Sequence, residues 1–137
     1  MKKTVQVTWK NNMKFETIVD GHQLVIDAVP EVGGNDEGPR PKSLMMVALA
    51  GCTGMDVVSI LKKMKVDFTY FNLRIEGEMS DEHPKKFTSM KTIYELKGKD
   101  LAYEKIEKAV NLSIEKYCSV NANYSDSMKM EHEIKIL

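Results

Sequence analysis

The sequence predicts an α+β domain in the order β-β-β-α-β-β-α-β, on three observations. The N-terminal residues alternate polar and apolar side chains in short runs broken by turn formers. A long, nearly all-apolar helical stretch then begins at Pro41. Two long β-rich runs follow, with an amphipathic helix and a final alternating segment behind them. A side-chain period of about two marks the strands, and one of about 3.6 marks the helices.

The elements can be justified in order. Thr4 to Trp9 alternates and is rich in β-formers, so it reads as the first strand. Lys10-Asn11-Asn12 is a turn, and Met13 to Val19 is the second strand. Asp20-Gly21 is a hairpin turn signal, and His22 to Ala28 supplies the third strand. A loop with three glycines and three prolines runs from Pro30 to Pro41. Pro41 opens the helix at its first turn, where a missing N–H costs nothing.

The helix from Pro41 to Lys65 carries Leu44, Leu49, Met55, Val58 and Leu61 around most of its circumference. Such a helix is expected to be covered on nearly all sides. At about 100° per residue, Cys52, Asp56, Ser59 and Lys63 share its one polar stripe. Asp67 to Met79 and Lys86 to Lys97 read as two longer strands joined by the polar turn Ser80 to Lys85. Asp100 is expected to cap the second helix. Ala102, Ile106, Ala109, Val110, Ser113 and Tyr117 form that helix's buried face, and Cys118 closes it. A polar stretch follows, and Lys129 to Leu137 is the last strand.

The length of 137 residues suits a single domain, residues 1–137. With 20 basic and 20 acidic residues the net charge is zero, which argues against nucleic acid as the main partner. Leu44 to Leu61 is apolar over 18 residues but carries Asp56, so it reads as a buried helix rather than a membrane span. Met1 to Val5 runs straight into the alternating pattern with no leader signal. Two cysteines in such a chain point to a reducing cytoplasm. His22, His83 and His132 share no ligand spacing with Cys, Asp or Glu, so no metal site is expected. The glycines at 33, 34 and 38 fit no phosphate-binding pattern, and no cofactor is implied.

The chemistry rests on two thiols, Cys52 and Cys118, 66 residues apart in the chain. Neither has a cysteine neighbour, which excludes a local Cys-x-x-Cys redox pair. If the thiols meet in space, the natural chemistry is a thiolate that is oxidised and a partner that resolves it. Cys52 lies on the polar stripe, which points to a cleft or interface; the bland alternative is a small buried hydrophobe. Cys118 is a resolving residue or a helix-end residue with no partner. Asp56 reads as a structural helix acid bonded to a hydroxyl such as Ser59, or as a pocket residue. Arg40 and Lys42 are the cations near the start of the helix that bears Cys52. Met45, Met46, Met55 and Met64 are core residues or the lining of an adaptable apolar pocket.

Three segments carry a family resemblance: Gly38-Pro39-Arg40-Pro41-Lys42-Ser43-Leu44, Ala48-Leu49-Ala50-Gly51-Cys52-Thr53-Gly54-Met55-Asp56-Val57-Val58, and Lys116-Tyr117-Cys118-Ser119-Val120. They resemble the OsmC/Ohr family, the osmotically induced and organic-hydroperoxide-resistance proteins, and most of all its short generic OsmC-like branch. The resemblance implies an intertwined homodimer with long central helices packed against the sheets of both chains. It also implies a thiol peroxidase. Cys52 matches the peroxidatic residue and Cys118 the resolving one, with an organic hydroperoxide as substrate and an external dithiol as reductant. Family peroxidases hold the thiolate with an arginine from the early strands, oriented by a glutamate after the motif proline. This chain has only Arg40 and Arg74. The matching strand position falls near Lys14 or Phe15, and Lys42 and Ser43 follow Pro41. Two functions therefore compete: the peroxidase, and a non-enzymatic dimer that binds a small apolar ligand or senses redox state.

Overall fold

The computed structural model describes residues Met1–Leu137. It falls into two compact units, Met1–Met45 and Met46–Leu137. In the first, β1 (Val7–Asn11), β2 (Lys14–Val19) and β3 (His22–Ile26) form an antiparallel meander. The second hairpin closes between Val19 and His22. Both of its turn residues, Asp20 and Gly21, have positive φ, at 52° and 83°, as a tight turn matched to strand twist requires.

The loop after β3 is organised by one carboxylate. Asp27 is buried and accepts from the backbone N–H groups of Ala28, Asn35 and Glu37 at 2.7, 3.2 and 3.1 Å. Gly34 and Gly38 lie flat against the chain, where a β-carbon would collide with the carbonyls of Ala28 and Val25. A 3-10 turn over Pro30–Val32 completes the loop. No apolar side chain of this unit is buried: its buried residues with polar side chains are Thr17 and Asp27, while Val7, Trp9 and Ile18 are exposed.

Helix α1 (Pro41–Lys63) starts at its proline and stops in a Schellman turn. The N–H of Val66 bonds the carbonyl of Leu61, and the N–H of Lys65 bonds that of Lys62. Lys65 takes the left-handed conformation there, at φ 58°. The expected all-round cover of α1 is not supplied by the chain itself. Leu49, Val57 and Leu61 are buried, but Val47 and Met55 are 62% and 76% exposed. By length and composition α1 could also cross a membrane.

In the second unit, β4 (Phe68–Met79) and β5 (Phe87–Gly98) pair antiparallel, and β6 (Lys129–Ile136) pairs parallel to β5. The central strand β5 is the most buried. Its Tyr94 and Leu96 join Val57 and Leu61 of α1 and Ile106, Ala109 and Val110 of α2 (Tyr103–Leu112) in one core. Gly54 lets α1 approach β4, since a β-carbon there would sit 3.1 Å from Leu73.

The second helix departs from expectation at both ends. Asp100 is not its cap: it sits in the left-handed region at φ 53°, a conformation Asp tolerates, and Ala102 occupies the N-cap. At the far end a π-helical turn, Ser113–Tyr117, follows Leu112. Its wider winding breaks the 3.6 phase. Ser113 stays buried, but Tyr117, expected on the buried face, turns outward at 52% exposure. The polar stretch beyond Cys118 is itself a helix, α3 (Ser119–Ser125).

Candidate functional site

Helix α1 places Cys52 and Asp56 one turn apart on the same face. The π turn places Cys118 against them. Its backbone N–H bonds the carbonyl of Ser113 at 2.7 Å, the contact that closes the wide turn. As a result Cys52 Sγ, a carboxylate oxygen of Asp56 and Cys118 Sγ lie within 4.8 Å of one another. Both cysteines are free thiols; Cys52 is half-buried and Cys118 is buried. The separation is a short side-chain movement from bonding distance, about 2.05 Å for a disulfide.

Each member has an orienting partner. Asp56 accepts from Ser113 Oγ at 3.0 Å, not from Ser59 as expected. The reason is topological. Ser113 arrives from another helix to meet the carboxylate, whereas Ser59 is exposed on the rim of a neighbouring cleft. Cys118 is the N-cap of α3, and its Sγ accepts from the N–H of Asn121 at 3.3 Å. Thr53 Oγ1 lies 3.2 Å from the same sulfur. Burial pushes the Cys118 thiol above its ordinary pKa; Thr53 and Asn121 oppose that shift and the neighbouring Cys52 adds to it. Burial likewise pushes the Tyr94 phenol far up, so it stays protonated at the base of the site.

Two open features lie along α1, the first of them bordered by Asp56. Asp56, Ser59, Lys63, Lys108, Leu112 and Tyr117 line a cleft of about 440 Å³, which also takes in Met64. Ala50, Met55, Val58, Phe71 and Leu73 line a more apolar groove of about 600 Å³ on another face of α1. Met55 and Met64 thus border open surface rather than a sealed core.

The two cations expected near the helix start are placed within the first unit. Arg40 is ion-paired to Asp36 at 2.6 Å and donates to the Gly38 carbonyl, while Lys42 is exposed. That unit also holds a pair no sequence pattern showed: Lys14 Nζ lies 3.0 Å from Glu37, which raises the lysine's pKa. Thr53, Ser113 and Asn121 join the site through the fold, with no motif in the sequence marking them. Ser113 lies on the predicted buried face of α2, and a serine on that otherwise largely apolar face is the only sequence signal for its role.

Residues 33–133 match the family of OsmC-like proteins. The protein YhfA of Escherichia coli K12 is 30% identical over 133 residues, covering 96% of each chain. A hypothetical protein of Aquifex aeolicus has the same fold at a TM-score of 0.87, with 26% identity over 100% of this chain and 97% of that one. An organic hydroperoxide resistance protein of Legionella pneumophila superposes at a TM-score of 0.68, with 16% identity over 98% and 97% of the two chains.

Proposed function

The chain belongs to the family of OsmC-like proteins, and from that premise we propose a thiol-dependent reductase of organic hydroperoxides acting through Cys52 and Cys118. The observation that carries this reading is the approach of the two sulfurs to within 4.8 Å, although they stand 66 residues apart in the chain. The Cys52 thiolate attacks the distal oxygen of the hydroperoxide. The O–O bond breaks, the alkoxide takes a proton and leaves as an alcohol, and Cys52 becomes a sulfenic acid. The Cys118 thiolate then attacks the Cys52 sulfur and expels hydroxide, which leaves as water, forming a disulfide. An external dithiol returns both cysteines to thiols by exchange. Cys52 is assigned the first role because it is half-buried, whereas Cys118 is buried with its thiol disfavoured as an anion.

The homodimer belongs to the same proposal. A three-stranded sheet with no buried apolar side chain is not stable alone, and α1 keeps Val47 and Met55 exposed. The early-strand position where the family resemblance looks for an arginine falls near Lys14 or Phe15, and Lys42 and Ser43 stand where it looks for the orienting glutamate; Lys14 pairs instead with Glu37, ahead of the motif. Without that arginine the leaving oxygen lacks a planar, two-pronged donor, which a lysine's point charge does not replace. Turnover slower than that of arginine-bearing relatives is the expected consequence. A reducing cytoplasm would supply the dithiol.

A second reading is favoured by one observation: the residue that completes the cluster with the two thiols is an acid, Asp56, where the family peroxidases hold the reactive sulfur with an arginine. That suits a redox-sensing or apolar-ligand-binding dimer. The test is to treat reduced protein with cumene hydroperoxide, count free thiols and map masses. The reductase reading expects loss of both thiols, a Cys52–Cys118 disulfide, repeated turnover with a dithiol, and a trapped sulfenic acid in Cys118→Ser. Thiols that survive the peroxide sink it and leave ligand binding. A disulfide that forms once without turnover leaves sensing.

A further inference from the structure

We propose that Cys52, Asp56 and Cys118 form a three-ligand site for a thiophilic divalent cation, with zinc as the fitting ion. No spacing in the sequence shows it, because the third ligand reaches the other two only through the fold. Two ligands lie at i and i+4 on one helix face, the arrangement by which two side chains on successive turns grip one metal. The third comes from the residue that ends the π turn and caps α3.

The distances fit. Zinc–sulfur bonds of about 2.3 Å and zinc–oxygen bonds of about 2.0–2.2 Å put tetrahedral ligand atoms roughly 3.5–3.8 Å apart. The three atoms already lie within 4.8 Å of one another, about 1 Å beyond the span a bound zinc would draw them to. The ligand types fit as well. Two sulfurs and one carboxylate match a borderline ion better than copper(I), which favours sulfur alone, or magnesium, which favours oxygen. Partners that orient the ligands are in place. Ser113 Oγ donates to Asp56 Oδ2, and the Asn121 N–H donates to Cys118 Sγ.

Hydroxyls of Thr53 and Ser113 and the Asn121 amide contact the ligand atoms, and Lys63 and Lys108 line the adjoining cleft with Asp56. A divalent cation would bind the two sulfurs as thiolates, displacing their protons. Three protein ligands leave one tetrahedral position for water or another donor, the pattern of an open rather than a closed site. Metal binding and the Cys52–Cys118 disulfide exclude each other, so oxidation would eject the ion.

The test does not depend on peroxide turnover. Full-length protein, reduced with a phosphine and freed of metal, is titrated with cobalt(II) as the spectroscopic probe and then with zinc. The expected result is a sulfur-to-cobalt charge-transfer band with tetrahedral d–d absorption, saturating at equimolar cobalt and bleached by zinc. Cys52→Ser and Cys118→Ser should each abolish it. Asp56→Asn should weaken binding by more than about tenfold, and Asp56→Glu should retain most of it. In the wild-type chain, zinc should protect both cysteines from alkylation, which needs no variant to fold. Peroxide treatment should remove binding. No charge-transfer band at millimolar cobalt overturns the proposal. So does a band that survives in Cys118→Ser or is unchanged in Asp56→Asn, or alkylation of both thiols at equal speed with and without zinc. Peroxide reduction measured with chelator present reports on the thiol chemistry separately, so either reading can fail alone.

Discussion

The two cysteines are chemically alike and physically different. Cys118 is buried, caps a helix and takes an N–H from Asn121, whereas Cys52 is half-open on α1. Timed alkylation of the native protein with mass mapping should label Cys52 about tenfold faster or more, because only an accessible thiolate reacts. Faster labelling of Cys118 would exchange their roles. Thr53 tunes the second sulfur through its hydroxyl at 3.2 Å. Thr53→Val keeps the shape and loses the hydroxyl, so the Cys118 thiol should rise further and disulfide closure after peroxide should slow several-fold. An unchanged closure rate would show that Asn121 alone sets that sulfur. Ser113→Ala leaves the half-buried Asp56 carboxylate without its donor and should cost about 1–3 kcal/mol in denaturant unfolding.

At the scale of elements, the loop before α1 hangs on Asp27. Its carboxyl is held below the ordinary value of 3.8, first by the Ala28 N–H and then by those of Glu37 and Asn35. A carboxyl with a depressed folded pKa stabilises the fold fully above its unfolded value. That contribution is lost as pH falls below 3.8 toward the folded value. Asp27→Asn should therefore unfold earlier than wild type at about pH 6, with the gap closing on acidification toward about pH 3. A gap independent of pH would mean the side chain acts by shape alone. The six strands were legible in the sequence because each alternates and ends near turn formers such as Asp20-Gly21, and α1 because its apolar run from Pro41 is long; β1 lies later than expected, at Val7–Asn11, taking in Lys10 and Asn11 of the expected turn. The end of α2 was not. A π turn carries no periodic signature, so Tyr117 and Ser113 read as one face when the chain in fact separates them. Half of the candidate site was visible for the same reason. Cys52 and Asp56 share a stripe by helical geometry. The approach of Cys118, and the choice of Ser113 over Ser59 as the partner of Asp56, depend on tertiary placement.

For the whole molecule, the decisive fact is where burial is missing. Every buried apolar side chain lies between Leu49 and Cys118, and none lies in Met1–Met45. A meander that exposes Trp9, Ile18 and Val7 has no core of its own, and a three-stranded sheet needs an apolar face to cover. Helix α1 has the complementary deficit: Val47 and Met55 stand exposed, and Met55 borders an apolar groove with Phe71 and Leu73. A second copy of the chain would satisfy both deficits at once, so folding and association should be one event. Sedimentation at micromolar concentration should then give about twice 15.6 kDa, and the melting temperature should rise with protein concentration. Met55→Glu tests the helix face directly. The charge would be desolvated in an interface but harmless on a free surface, so it should lower the melting temperature and shift the mass toward one chain. A compact wild-type monomer with a concentration-independent melting temperature, unaffected by Met55→Glu, would mean that the exposed apolar surface is tolerated rather than paired.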